Sequence, residues 1–268
     1  MSRVLAITGM HRSGTSAISG YLQKCGLDIG TRLIGPTYGN LMGHFEDAEI
    51  ECIQEGILSD NDIVLNLSSD TKLTLNSNHK AQLKRVISDR AIKPVWAWKD
   101  PRTSLFLKEW KAELPELKVL GLYRHWADVL YSLVSRDRKQ QASLPKSIIV
   151  PLWHSRSNTW LMNQYLKTWI RYNSDLLEFA KTFPKDIVFV NIRSLHDQKL
   201  DKQLFTHLNQ NWNLDLQHIP FGDSYKESAF RAASEKWKKT TDKVLASHAD
   251  VLFKQLNILN TWSKKALL

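Results

Sequence analysis

Val4-Leu5-Ala6-Ile7-Thr8-Gly9-Met10-His11-Arg12-Ser13-Gly14-Thr15-Ser16 decides the fold class. Its apolar half suits a short buried strand, and its second half is a loop framed by two glycines. Beyond it, Ala17, Ile18, Tyr21, Leu22 and Cys25 share one face at helical spacing, and Gly26 stops the pattern. Strand, glycine loop and helix in that order form a phosphate loop, and Gly9 and Gly14 have the spacing of G-x-x-x-x-G-K-[ST]. Glycines allow the tight turn, and backbone N–H groups then point at an anion over the helix N-terminus. The usual lysine position holds Thr15, and Arg12 inside the loop can supply the charge instead. Its guanidinium grips oxyanions in a bidentate way that lysine cannot. Ser13, Thr15 and Ser16 add hydroxyls.

Further short apolar runs read as buried strands: Val95 to Trp98, Val119 to Tyr123 and Ile187 to Val190. Helical patterns follow most of them. Leu105, Phe106 and Trp110 mark a short helix ending before Pro115. Trp126, Val129, Leu130 and Leu133 share another face. Leu161, Tyr165, Trp169, Leu176 and Ala180 point inward from a long helix spanning about Trp160 to Lys181. This alternation predicts an α/β fold, P-loop-type and three-layered, with a mainly parallel central sheet flanked by helices. No internal repeat or linker divides the chain, which predicts one domain over 1–268. Residues 56–80, rich in Asn, Asp and Ser, read as an insertion. Residues 137–158, polar and holding Pro145 and Pro151, read as a loop or lid. The tail from Ser224 is basic and helix-like, with Phe230, Trp237, Val244, Leu252 and Leu256 as anchors.

The third strand delivers a second basic position. Arg124 would stand at its C-terminal end, where open α/β sheets bind ligands. Ser132 follows two helical turns later, roughly 12 Å along the axis. Such a pair could hold one phosphate from two sides.

Composition limits the function classes. Hydrophobic residues are 43% and charged residues 24% of the 268, a normal globular mix. No apolar run approaches the ~20 residues of a membrane-spanning helix, and none at the N-terminus resembles a signal-peptide core. Two cysteines, Cys25 and Cys52, support neither a disulfide framework nor a Cys-rich metal site, and point to a reducing, cytoplasmic compartment. The nine histidines lack metal-ligand spacing, so no metal is expected. Residues 1–80 hold six Lys/Arg against nine Asp/Glu. They are therefore at −3, and the remainder carries +13 of the net +10. That field favours anionic partners, but no like-charge run marks a nucleic-acid tail.

The motifs in order resemble a known family. Gly9 to Ser16, then Trp98-Lys99-Asp100-Pro101-Arg102, then Tyr123-Arg124-His125 through Ser132, are similar to the sulfotransferases that use 3′-phosphoadenosine 5′-phosphosulfate (PAPS). The likeness is greatest to bacterial members with a His-Arg-Ser-Gly-Thr-Ser loop, and is looser beyond residue 136. It implies sulfuryl transfer from PAPS, without metal, to a hydroxyl or amine of a small molecule or carbohydrate, leaving adenosine 3′,5′-bisphosphate (PAP). It implies that His11, Arg12, Ser13, Gly14, Thr15 and Ser16 cradle the 5′-phosphosulfate end, and that Arg124 and Ser132 bind the 3′-phosphate. Arg231 is a counterpart for the family's C-terminal phosphate contact, in a pattern that departs from Arg-Lys-Gly.

The catalytic candidates are Arg12, for the leaving phosphate, and Lys99 at the end of the second strand. A salt bridge with Asp100 or another neighbour is the alternative role for Lys99. Glu46 in Gly43-His44-Phe45-Glu46-Asp47 is the first choice for the base, given a burial-raised pKa. His44 is the alternative. Trp153, His154 and Trp160 could stack on an acceptor, whereas Arg136 and Arg138 read as solvated. Two other functions compete: a P-loop kinase or NTPase, and a non-catalytic nucleotide binder. The first lacks the loop lysine and a clear Mg²⁺ ligand, since Asp100 stands beside Lys99. The second would need neither Glu46 nor Lys99.

Overall fold

Four parallel strands form the centre of the molecule: β1 (Arg3–Thr8), β2 (Val95–Lys99), β3 (Lys118–Tyr123) and β4 (Ile187–Asn191). The computed structural model describes residues 2–36, 43–63, 67, 71–143, 157–224 and 241–260. The spatial order β2-β1-β3-β4 means the chain leaves β1 toward one edge and returns to build the other. The direction of winding therefore reverses between β1 and β3, which is where open α/β sheets open a crevice at their C-terminal ends.

Alternation along the strands sorts the core into two layers. Val4, Ala6, Trp96, Trp98, Val119, Tyr123 and Phe189 pack on one face with residues of α2 (Ala48–Asp60), α3 (Ser77–Arg90), α4 (Leu107–Glu113), α5 (Trp126–Ser143) and α6 (Asn158–Thr182). Leu5, Ile7, Ala97, Leu120, Leu122, Val188 and Val190 pack on the other with α1 (Thr15–Lys24) and α7 (Gln198–Gln210). The fold is the expected three-layer α/β arrangement, and every strand pair is parallel. A helical turn, α8 (Phe221–Ser224), and the C-terminal helix α9 (Lys243–Leu259) complete the described elements. α9 docks on α5 and β3 through Trp126 Nε1, which donates to Asp250 Oδ1 at 2.7 Å, and Tyr123 OH, which donates to Asn257 Oδ1 at 2.8 Å.

Three boundaries differ from the sequence expectation. Residues 56–60 are the last turn of α2 and 77–80 the first of α3, so the insertion proper is shorter than 56–80. Asn76 explains the second case. Its side chain accepts from His79 N at 2.9 Å and opens α3 with a capping box, so the polar cluster is partly a helix start. Residues 137–143 continue α5, because buried Asp137 is held by Arg136 and by Tyr165 OH of α6. Residues 144–156, with Pro145, Pro151, Trp153 and His154, lie outside the described residues. So do Phe230 and Trp237. Val244 is 79% exposed and is not an anchor, whereas Leu252 and Leu256 are buried as expected.

Candidate active site

The phosphate loop connects β1 to α1 with backbone angles that its glycines make possible. Gly9 has φ +144°, and a Cβ there would lie 2.0 Å from the Leu122 carbonyl oxygen of β3. Gly14 has φ +96°, and a Cβ there would lie 2.8 Å from Ile192 just after β4. Arg12 also takes a left-handed φ of 69°, a strained conformation for a side-chain-bearing residue. Gly14 is the N-cap of α1 and brings no capping side chain, and no acid stands in the first turn. The first N–H groups of a helix lack intrahelical acceptors, so this end suits an anion. Ser13 Oγ is buried and has no hydrogen-bond partner among the described residues, a donor available to such a ligand. The loop therefore fits an anionic group.

Three elements meet the loop at the switch point. Thr8 Oγ1 donates to the carbonyls of Asp100 and Pro101 at 2.9 and 3.1 Å, tying the end of β1 to the turn after β2. Arg12 Nε donates to Ser132 Oγ on α5 at 2.9 Å. Arg124 Nη1 approaches the Arg12 carbonyl at 3.4 Å, and Trp169 Nε1 of α6 donates to the Arg124 carbonyl at 3.2 Å. The two motifs read separately in the sequence thus form one contiguous basic arc. Ser132 bonds Arg12 within it.

Residues 43–47 bring the acids. Backbone pairing with 32–34 holds this segment: Ile34 N donates to the Glu46 carbonyl at 2.8 Å and His44 N to the Ile34 carbonyl at 3.2 Å. Ser16 Oγ donates to the His44 carbonyl, which links the segment to α1. Asp47 caps α2 and pairs with Arg90 Nη2 at 2.8 Å. Glu46 is left pointing inward, where Lys99 Nζ donates to its Oε1 at 2.6 Å. Both side chains are buried. His44 Nδ1 and Arg102 Nη1 each stand 3.9 Å from Glu46 Oε2. The partner of Lys99 is therefore Glu46, a neighbour in space, rather than Asp100. Asp100, fully buried, accepts from Arg102 N at 2.8 Å and Arg102 Nη1 at 3.0 Å.

Like charges crowd this arc. Burial first, then Arg136 and Arg124, lower the pKa of Arg12. Burial first, then Arg102, Arg136, Lys99 and Arg12, hold His11 well below 6.5, so its imidazole is neutral at neutral pH. His44 is also lowered, by burial ahead of the opposing pull of Glu46. Burial lowers Lys99 as well, against the pull of Glu46. An anionic ligand would oppose all four shifts, since negative charge nearby favours the protonated form of each group.

The structure also supplies residues that sequence reading gave no role. Arg136 was read as solvated, yet it pairs with Asp137 at 3.0 Å and its charge reaches His11, Arg12 and His44. The available signal was its i+4 spacing from Ser132, which puts both on one helix face. Arg102 belonged to a quoted motif without an assigned job. It now binds Asp100, Glu51 (3.2 Å) and Glu55. The Tyr172 ring lies 6.1 Å from that of His11. Arg231 lies outside the described residues. Among the described residues no His/Cys/Asp/Glu group of three could hold a metal ion, and no helix is long and apolar enough to cross a membrane. A cavity of about 610 Å³ beside Lys111, Phe183 and Asp186 sits at the opposite, N-terminal ends of β3 and β4. Lys111 there is already paired with Asp186.

Solved structures share this architecture. A sulfotransferase from Mycobacterium avium matches over 96% of this chain and 76% of its own, with a TM-score of 0.54 and 12% identity. The chain has the sulfotransferase fold. A sulfotransferase from Mycobacterium tuberculosis matches over 97% of this chain and 77% of its own (TM-score 0.44, 11% identity). The sulfotransferase domain of a Synechococcus olefin synthase matches over 96% and 94% (TM-score 0.47, 12% identity). No family model and no curated protein matches the chain. In this sulfotransferase fold the glycine loop, Arg124 and the Lys99–Glu46 pair share one end of the sheet.

Proposed function

We propose that the chain is a single sulfotransferase domain, 1–268, moving a sulfuryl group from PAPS to a hydroxyl or amine acceptor, with a carbohydrate hydroxyl the first to screen. One observation carries this reading. The Arg12 loop and the Arg124–Ser132 segment converge at the switch point, beside a buried base–cation pair. Two basic subsites on one crevice suit a donor that carries phosphate at both ends of its ribose. The occupied Asp100 and the Thr15 at the lysine position disfavour Mg·ATP chemistry. The unpaired cysteines, Cys25 buried and Cys52 exposed, suit a reducing cytoplasmic setting.

The bound donor supplies a sulfuryl group on a phosphate leaving group. The residues of this chain then position and neutralise, as in phosphoryl transfer. Arg12 places a guanidinium beside the leaving phosphate, which keeps the electron pair of the broken S–O bond. Lys99 adds a second cation there. Glu46 takes the acceptor's proton at Oε2, the oxygen facing His44, while Lys99 holds Oε1. His44 is the alternative acceptor of that proton, being neutral at neutral pH.

Calorimetric titration with PAP, beside Mg·ATP, tests the reading. PAP is expected to bind in preference and without metal. Arg12→Ala and Arg124→Ala should each weaken it by about 2 kcal/mol, the scale of a charge-assisted contact. Preference for Mg·ATP, or binding of neither, would overturn the proposal.

A further inference from the structure

The turn after β4 carries a cation with no role so far. Ile192–His196 is a 3₁₀ turn whose N-cap, Asn191, accepts from Arg193 N at 3.2 Å. Ser194 Oγ donates back to the Asn191 carbonyl at 2.7 Å. Ile192 and Leu195 are buried, and Ile192 is the residue packed against Gly14 of the phosphate loop. The Arg193 backbone is thus fixed beside the loop. Its side chain turns toward α5, where Nη2 lies 3.2 Å from Asp128 Oδ2. Arg124 Nε approaches the same oxygen at 3.6 Å. Asp128, in the first turn of α5, is buried, and the Arg193 side chain is 37% exposed.

One carboxylate oxygen therefore gathers two guanidiniums from just beyond the C-terminal ends of the adjacent strands β3 and β4. A phosphate dianion offers three acceptors and can bridge both forks. Asp128 serves as the internal counter-ion that holds the forks together before the ligand arrives. Arg193, the more exposed of the two, keeps a face toward solvent.

We infer that Arg193 is the second guanidinium of the subsite that Arg124 begins, positioned by Asp128, and that the pair makes the protein select nucleotides with a phosphate on the ribose 3′ oxygen. The inference rests on the proposed role of Arg124. It adds a residue outside all three sequence motifs.

Titration of the full chain with PAP and with adenosine 5′-monophosphate separates the two ideas. Arg193→Ala should weaken PAP at least ~10-fold, the effect of losing one charge-assisted bond, and leave the monophosphate within about two-fold. Arg193→Lys should recover part of the loss, because charge returns without the fork. Asp128→Asn, matched in shape, should show a smaller loss for PAP alone, and combining it with Arg193→Ala should add little. Circular dichroism verifies that each variant is folded. Unchanged discrimination in Arg193→Ala, or an equal loss for both nucleotides, would overturn the inference while leaving Arg124 in place. Wild-type protein that fails to prefer PAP over the monophosphate would overturn both.

Discussion

Replacing Lys99 by Met tests the buried pair at the centre of the site. At the 2.6 Å separation of Lys99 Nζ and Glu46 Oε1, attraction at an effective dielectric near 20 is about 6 kcal/mol. Desolvating two ions costs several kcal/mol each, so the net worth of the pair is near zero. Breaking it is different. Lys99→Met leaves Glu46 buried, and its remaining cation, Arg102, stands 3.9 Å away and is shared with Asp100, Glu51 and Glu55. Lys99→Met should therefore destabilise by about 3–5 kcal/mol, and Glu46→Met by a similar amount. The double variant, apolar and similar in volume, should return to within about 1 kcal/mol of wild type, a coupling of roughly 7 kcal/mol. Urea unfolding at neutral pH measures all three. A single variant costing under about 1 kcal/mol would mean that water already screens the pair. A double variant as unstable as the two losses combined would mean that the residues act independently. Sulfuryl transfer should be lost in the double variant despite its recovered stability, which separates the catalytic role from the structural one.

Other consequences can be checked as directly. Gly14→Ala meets three Ile192 carbons at 2.8–2.9 Å and a φ of +96°, whereas Gly26→Ala has a similar φ of +99° and nothing within 4 Å among the described residues. Gly26→Ala should cost about 1–2 kcal/mol from the backbone alone, and Gly14→Ala about 2 kcal/mol more from overpacking, read by thermal unfolding. His11 titrates below 6.5 in the folded chain, so on acidification the unfolded chain takes up its proton first. Stability should fall as pH drops from about 6.5 toward the folded value, and His11→Asn should lose less over that range, read as melting temperature against pH. PAP binding should raise the pKa of His11 and so take up protons, measurable by titration in buffers of different ionisation enthalpy.

Local signals carried much of the fold. Runs of four or five apolar residues located all four strands, and the five inward positions named on α6 are all buried. The glycine loop was legible because its backbone angles exclude other residues, as the 2.0 Å contact at Gly9 demonstrates. Contacts made across long separations were not legible. Nothing in Gly43 to Asp47 says that Glu46 will meet Lys99, because that meeting needs the 32–34 pairing as well as the β1–β2 register. Arg193 stood in a segment with no motif, and its meaning comes from Asp128 on another element. Polar runs misled at 56–60, 77–80 and 137–143, where Asn76 and Asp137 use polarity to build a helix end and an interhelical bond rather than loops.

The winding reversal explains why the two proposed anion subsites can differ in chemistry on one crevice. α1 leaves β1 toward the face holding Ile18, Tyr21 and Leu22, and α5 leaves β3 toward the opposite face with Trp126, Val129 and Leu130. Both helices start at the same end of the sheet. Their N-termini therefore flank the crevice, each with the partial positive charge of its first turn. α1 begins with a glycine cap and no acid, so its backbone is left to serve a ligand. α5 carries Asp128 in its first turn, where it pairs with Arg124 and Arg193, and His125 Nδ1 accepts from Ala127 N at 3.2 Å. Under the proposed function, one phosphate is therefore held chiefly by backbone N–H groups and the other by guanidinium forks. Removing Asp128's charge should then loosen the forks and also remove a negative charge from beside the phosphate. Part of the lost anion affinity would return through that relieved repulsion, which is why Asp128→Asn should weaken PAP less than Arg193→Ala does.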